Sequence, residues 1–554
     1  MKFSRRDLLV WSAGAAAGLA LSPVPWKLLD DTSIWSQNWP WIPQPACGPV
    51  DIKLSSCTLC PNGCGVRVRM ANGNPVGIAG MTNHPLTQGA LCPLAFGAHQ
   101  LNWHPLRLRA VRHRGFDSSF EEAHVAFAKA CAEGSIVVID GYPGRAASSV
   151  LESFGAKKGE YRVVCGSETR ALASYEKWSG VQASALGYDI ENARTILSFG
   201  APLLDGWGIP GRFTRRWAQS AGSADPDVRL FQVEPSLSRT AARAWQWVAI
   251  RPGSDAALAA GIARILIEEK LAAAHSPMPP MSLTDAAAQT GLDSNAIREL
   301  ARAIVERAPA VAIASDYNPA VAALNTMLGA PGARGGIVQR SRARHSADSV
   351  QSGFASARAV LIDSSVPWDF VPETNAEVFR FAAWDGGGSK ADWLLPAPGF
   401  LEETTDIPTA PISSVETYAI APALAKAPHT THSGWQFLAA VDPSLDTPEK
   451  VIHARCAELF HHRKGTLHSS EETPLAKIAS AEKLEEQLTQ GAVWMGEPAL
   501  LNRFRCELKE WPAEVGSPIQ SGFPAAWSPP VMPPLASKLY EESNLRGTTE
   551  GRTA

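Results

Sequence analysis

The chain has 554 residues, 45% hydrophobic and 19% charged, with a formal net charge of −3. That is the composition of a globular protein with room for several packed layers. The near-neutral balance offers no basic surface for nucleic acid, and past the N-terminus no run of about twenty apolar residues would span a bilayer.

The chain opens Met1-Lys2-Phe3-Ser4-Arg5-Arg6-Asp7, followed by an apolar, Ala/Gly-rich run from Leu8 to Leu21. A twin arginine ahead of such a run has the form of a Tat export signal. No clean small-x-small cleavage motif precedes Pro23, which leaves retention of the segment as an anchor open. Trp26, Trp35, Trp39 and Trp41 then interleave with Pro25, Pro40 and Pro43, a pattern no regular helix tolerates. This aromatic arm suits a partner surface or membrane interface, or it packs over the domain that follows. Residues 1–45 are read as signal and arm.

Residues 46–112 carry the strongest chemical signal. Cys57-Thr-Leu-Cys60-Pro-Asn-Gly63-Cys64 is followed at a distance by Cys92-Pro93. Three close thiols and one remote one form the ligand pattern of a [4Fe–4S] cluster. Structural zinc favours paired C-x-x-C hooks, and Cys92 has no such partner. Zinc, disulfides and free thiols are the alternatives. Gly63 and Gly65 let the backbone wrap closely around a cluster. A protein that acquires iron and sulfur in the cytoplasm must cross the membrane folded, which agrees with the twin-arginine reading. Cys47, Cys131, Cys165, Cys456 and Cys506 are scattered, and their spacing does not support a Cys456–Cys506 disulfide.

Downstream, Ser118 or Ser119 ahead of Glu121 and Glu122 predicts a helix start. Apolar β-branched runs at 135–141, 195–200, 228–233, 310–314 and 359–363 predict buried strands, and 255–274 and 296–307 predict helices. This alternation predicts an α/β chain with mainly parallel sheets. The expected division is a first α/β domain from 113–150 plus 340–465, a second inserted at 151–339, and a truncated C-terminal region at 466–554 ending in a Pro/Ser/Gly-rich tail.

Several unlinked segments resemble the molybdopterin oxidoreductases of the dimethyl sulfoxide reductase type. They are Asn83-His84-Pro85 through Gly89 to Cys92-Pro93, Asp189-Ile-Glu191-Asn192-Ala193 through Gly200, and Glu234-Pro235. Ile250-Arg-Pro252-Gly253-Ser254-Asp255, Leu324-Asn325 with Gly335-Gly336, and Asp392 through Pro396 to Glu402 continue the series in the family's order. The resemblance implies a small N-terminal iron–sulfur domain and two interleaved Rossmann-like parallel-sheet domains. The C-terminal pterin-covering barrel of the family is expected to be largely missing. There are departures. Leu94 stands where working members carry Lys or Arg, Ala201 replaces a strand-end Asn, and Glu234-Pro235-Ser236 replaces a nucleotide-contacting Asp-Pro-Arg. Gly200, Glu234 and the retained Asp255 are the candidate remnants of a pterin site. By the same resemblance Cys165 is the candidate molybdenum ligand; its alternative is a small apolar residue at a strand end.

Within the family, the twin-arginine segment, the Trp-rich arm, Leu94 and the ending around Lys538-Leu-Tyr540 are similar to the molybdopterin-like subunits of menaquinone-reducing quinone reductases and of alternative complex III. That likeness implies an electron-transfer subunit on the periplasmic face of the membrane, without molybdopterin guanine dinucleotide. Its implied partners are a multihaem cytochrome c, a ferredoxin-like iron–sulfur subunit and an integral membrane quinone-interacting subunit. Electrons would pass from the cytochrome to menaquinone. The rivals are an active molybdenum-bis(pterin guanine dinucleotide) oxidoreductase of polysulfide, thiosulfate or nitrate, with Cys165 on the metal, and a purely structural docking subunit.

Overall fold

A computed structural model describes residues 4–22, 27–28, 48–164, 166–219, 223, 225–272, 277–340, 356–366, 370, 374–385, 391–498, 501 and 504–513. The tryptophans of the arm, Cys47, Cys165 and the tail with Lys538 and Tyr540 lie outside the described residues.

The apolar N-terminal run forms the helix Arg5–Leu21. Its start is a capping box: the Asp7 N–H donates to Ser4 Oγ at 3.2 Å, and the Ser4 N–H to Asp7 Oδ2 at 3.0 Å. Leu8, Leu9, Val10, Trp11 and Leu19 are exposed on it. Among the described residues, no helix is long and apolar enough to cross a membrane.

The body is α/β. A seven-stranded sheet runs, edge to edge, Phe116–Ser118, Val111–His113, Trp393–Pro396, Glu377–Ala382, Ala359–Ile362, Ile136–Asp140, Gly159–Val163. The last five strands are parallel, and the first two form an antiparallel edge. The parallel strands are apolar runs because both faces are covered: helices with Phe127, Phe154 and Phe437 pack on one, and loop residues including Val164, Val366 and Phe370 on the other; Ile136–Asp140 is buried at every position. From Ile136–Asp140 the chain moves outward to Gly159–Val163, then returns far later at Ala359–Ile362 and winds the other way. The strand order therefore reverses between Ile136–Asp140 and Ala359–Ile362.

The inserted domain holds a parallel four-stranded sheet in the order Gln246–Ala249, Arg229–Glu234, Thr195–Phe199, Ala310–Ala314. Its order reverses between Thr195–Phe199 and Ala310–Ala314. The predicted strands and the Ser119-capped helix Phe120–Glu133 are all present. The two expected helices run Asp255–Glu268 and Ser294–Glu306.

Two domain limits need correction. Gly159–Val163 pairs in parallel with Ile136–Asp140, so the first α/β layer continues past residue 150 and the insertion starts after Val163. Residues 340–465 are not one layer either. Thr405–Ile407 and Thr417–Ala421 join Val493–Met495, Thr466–His468 and Glu472–Pro474 in a five-stranded antiparallel sheet that crosses the expected break at 465. Most of these strands are three residues long, too short to leave an alternating pattern in the sequence. Cys456 and Cys506 are both free thiols.

Candidate metal centre

The strand Val50–Ser56 delivers the chain to Cys57. A tight loop follows and returns as the strand Gly65–Ala71. The Cys57 N–H closes this loop on the Cys64 carbonyl at 2.8 Å. Gly63 takes φ +57, and a Cβ there would collide with Ile407, so both the turn and the close approach require glycine. Cys92 arrives from the other side, one residue ahead of the helix Pro93–Gly97, where Pro93 pre-sets the first turn.

Cys57 and Cys64 are buried, and Cys60 and Cys92 are partly exposed. Burial pushes the Cys57 thiol up to about 12, with Cys92 adding repulsion. Burial likewise raises Cys60 and Cys64, and neighbouring cysteines raise them further. The four sulfurs are thus close enough to interact, and Cys57, Cys60 and Cys64 resist ionisation unaided. A cationic metal group reverses that balance, because thiolates are its ligands. Among the described residues, no three His, Cys, Asp or Glu side chains gather as tightly as a single ion requires. Four coupled thiols, three close in sequence and one remote, suit a [4Fe–4S] cluster.

The surroundings point the same way. Asn62 Nδ2 donates to Cys60 Sγ at 3.3 Å, and the Leu59 and Asn62 backbone N–H groups point to the sulfurs of Cys57 and Cys60. The hydroxyls of Ser55 and Ser56 are buried just before Cys57, with no partner among the described residues. Unmatched donors beside thiols fit a group rich in acceptors, such as the sulfides of a cluster. His84 pins the loop. Its Nδ1 accepts the Leu86 and Thr87 N–H groups at 3.3 and 3.2 Å, and its ring is hydrogen-bonded to Gly63. Burial pushes its pKa down to about 4, so it is a neutral staple. Gly65 leaves the ring its space, since a Cβ there would lie 2.6 Å from His84 Cδ2.

Hydrogen bonds to sulfur stabilise the more reduced, more negative state of a cluster. Asn62→Leu is therefore expected to move the midpoint potential to a more negative value while the iron content stays unchanged. An EPR-monitored redox titration measures it, and an unshifted potential would refute a tuning role for this amide.

Beyond Cys60 lies a cavity of ≈ 210 Å³. Leu59, Cys60 and Pro61 border it on one side, and Gly141 and Ser365 on the other, at the point where the order of the large sheet reverses. Arg145 spans that point. Its Nη2 donates to Asp140 Oδ1 at 3.0 Å, Asp363 Oδ2 at 2.9 Å and Ser365 Oγ at 3.2 Å. Glu168 adds a carboxyl that burial pushes up to about 7.

The candidate pterin remnants sit at the other sheet, and none lines this cavity. Gly200 turns with φ +68 at the end of Thr195–Phe199. Glu234 accepts from Gln232 Nε2 and from the Ser238 N–H, both at 2.9 Å. Asp255 accepts from Asn318 Nδ2, and burial pushes its carboxyl up to about 6. Both carboxyl groups are engaged within the fold. Leu94 packs against the core of the cysteine-bearing segment. The sequence signalled neither His84 beyond its place in the Asn83-His84-Pro85 marker, nor Arg145, nor Trp207, whose fully buried indole donates to the Ser315 carbonyl at 2.9 Å where the order of the small sheet reverses. Among the described residues, the crevice of the large sheet holds the cavity beside Cys60. At the crevice of the small sheet, Glu234 and Asp255 are hydrogen-bonded within the fold and Trp207 is fully buried.

Residues 52–100 match the molybdopterin oxidoreductase Fe4S4 domain, and residues 128–405, half of the chain, match the molybdopterin oxidoreductase domain. The chain is 33% identical over 371 residues to the menaquinone reductase molybdopterin-binding-like subunit of Nitratidesulfovibrio vulgaris, covering 61% of this chain and 52% of that one. It is 24% identical over 284 residues to the molybdopterin-containing subunit of thiosulfate reductase from Salmonella typhimurium, covering 49% and 36%. The chain thus spans about half the length of the first relative and less of the second. Among solved structures, acetylene hydratase from Pelobacter acetylenicus shares the fold, with a TM-score of 0.58 and 12% identity over 80% of this chain and 74% of that one. An Fe4S4 segment holding all four gathered cysteines, followed by two parallel sheets in the matched span, makes this chain a member of the molybdopterin oxidoreductase family.

Proposed function

We propose that this chain is an electron-transfer subunit of a membrane-associated, periplasm-facing respiratory complex. In that complex electrons pass from a c-type cytochrome to menaquinone. The observation that carries the reading is the thiol set Cys57, Cys60, Cys64 and Cys92, gathered in the Fe4S4 segment and ringed by donors. A bound [4Fe–4S] cluster supplies one-electron transfer. The chain's own residues fix the thiols, donate to sulfur from Leu59 and Asn62, and exclude water with the buried Cys57 and Cys64 side. The menaquinone reductase relative supports placement in a quinone-linked assembly. The partners proposed are a multihaem cytochrome c, a ferredoxin-like iron–sulfur subunit and an integral membrane quinone-interacting subunit. The twin arginine Arg5-Arg6 before an apolar helix supports export by the Tat route.

The same reading takes the chain as free of molybdenum. Leu94 puts an apolar side chain beside the fourth cysteine, and Glu234 and Asp255 are engaged internally. Iron and molybdenum assays on natively exported protein test it. Roughly four irons per chain without molybdenum are expected. Stoichiometric molybdenum would overturn the reading and favour an oxidoreductase of polysulfide, thiosulfate or nitrate type.

A further inference from the structure

We infer that Trp207 is a built-in plug that occupies the ligand crevice of the inserted domain, so this domain holds no nucleotide. In open parallel sheets ligands bind outside the carboxyl ends of the strands, where the strand order reverses. For the small sheet that point lies between Thr195–Phe199 and Ala310–Ala314. The two strand ends are tied there by the Ser315 N–H donating to the Phe199 carbonyl at 3.0 Å. Trp207 is seated on the same spot. Its Nε1 donates to the Ser315 carbonyl at 2.9 Å, its backbone N–H to the Pro202 carbonyl at 3.3 Å, and its side chain is fully buried.

The loop is shaped for this. Gly200, Gly206 and Gly208 all take positive φ, +68, +124 and +64, so the chain can double back and present the indole inward. Phe213 packs beside the ring, with centroids 6.3 Å apart. A Cβ on Gly208 would come within 2.5 Å of Ile412 Cδ1, and Ile412 lines the cavity of the large sheet. The plug thus also closes the wall between that cavity and the small sheet. A flat, nitrogen-bearing bicycle sits where a guanine or pterin would need to lie. Among the described residues the crevice of the large sheet has no such occupant, and Arg145 crosses its floor. The chain accordingly accepts at most one guanosine nucleotide.

The inference deepens the molybdenum-free reading but stands on its own observation. Acid extraction of natively purified protein, with guanosine nucleotide quantified by chromatography, tests it without any variant. None or one per chain is expected; two per chain would overturn the plug. One nucleotide accompanied by molybdenum would sink the molybdenum-free reading and leave the plug intact. Calorimetric titration with GDP provides the second arm. Trp207→Ala is expected to gain one equivalent of GDP over the parent protein at unchanged iron content. A folded variant that gains none would refute Trp207 as the occluding group.

Discussion

Replacing Cys64 with alanine is expected to abolish the cluster, lowering iron from roughly four per chain to below one and removing the low-temperature EPR signal of the reduced protein. Cys64 is the central member of the set: it is buried, its carbonyl receives the Cys57 N–H, and it adjoins the glycine that turns the loop. The loss extends to structure. Cys57 and Cys64 belong to the core of this segment, beside Val66, Val68, Met70, Ala95 and Leu101. Where metal ligands also fill a core, metal binding and folding are one equilibrium. Protease nicking of residues 52–100 in the variant, with the large sheet intact, is the expected pattern. That sheet has its own core around Phe127, Phe154, Phe379 and Phe437. Full iron retention in Cys64→Ala would remove this residue from the ligand set.

Different physical constraints explain what the sequence reveals and what it hides. The cysteine segment is legible because metal ligation demands one residue type at fixed spacing. The parallel strands are legible because burial on both faces makes them plain apolar runs, as in Val137-Val138-Ile139 and Ala310 through Ala314. The three-residue strands Thr466–His468 and Glu472–Pro474 carry no periodicity and emerge only from their pairing with each other and, for the first, with Val493–Met495. Trp207, between Gly206 and Gly208, reads as a turn residue. Its role depends on which strands flank it, and strand order is a property of long-range pairing. Arg145 is hidden for the same reason, since its partner Asp363 is a distant residue brought close by the sheet.

Arg145→Met is the second large effect, expected to cost about 3–5 kcal/mol in the sheet it spans, the typical penalty for breaking a buried ion pair from one side. Burial opposes the charge on Asp140, but Arg145, the Tyr142 N–H and the Ser365 hydroxyl hold its carboxyl below the ordinary range. A depressed carboxylate contributes stability above its unfolded value near 3.9, and that contribution is lost as pH falls through the folded value. Without the guanidinium, Asp140 keeps the burial that opposes its charge, loses the counter-charge and faces the nearby Asp363 side chain, so its titration shifts above the unfolded value. The sign then inverts, because proton uptake by the folded variant relieves the repulsion as pH falls. The penalty is therefore expected to be smaller at pH 5 than at pH 8. Hydrogen exchange of Ile136–Asp140 and Ala359–Ile362 reports it, and adding Asp363→Asn should recover part of the loss. An exchange profile equal to that of the parent, or a penalty independent of pH, would mean that Arg145 does not hold this crevice together.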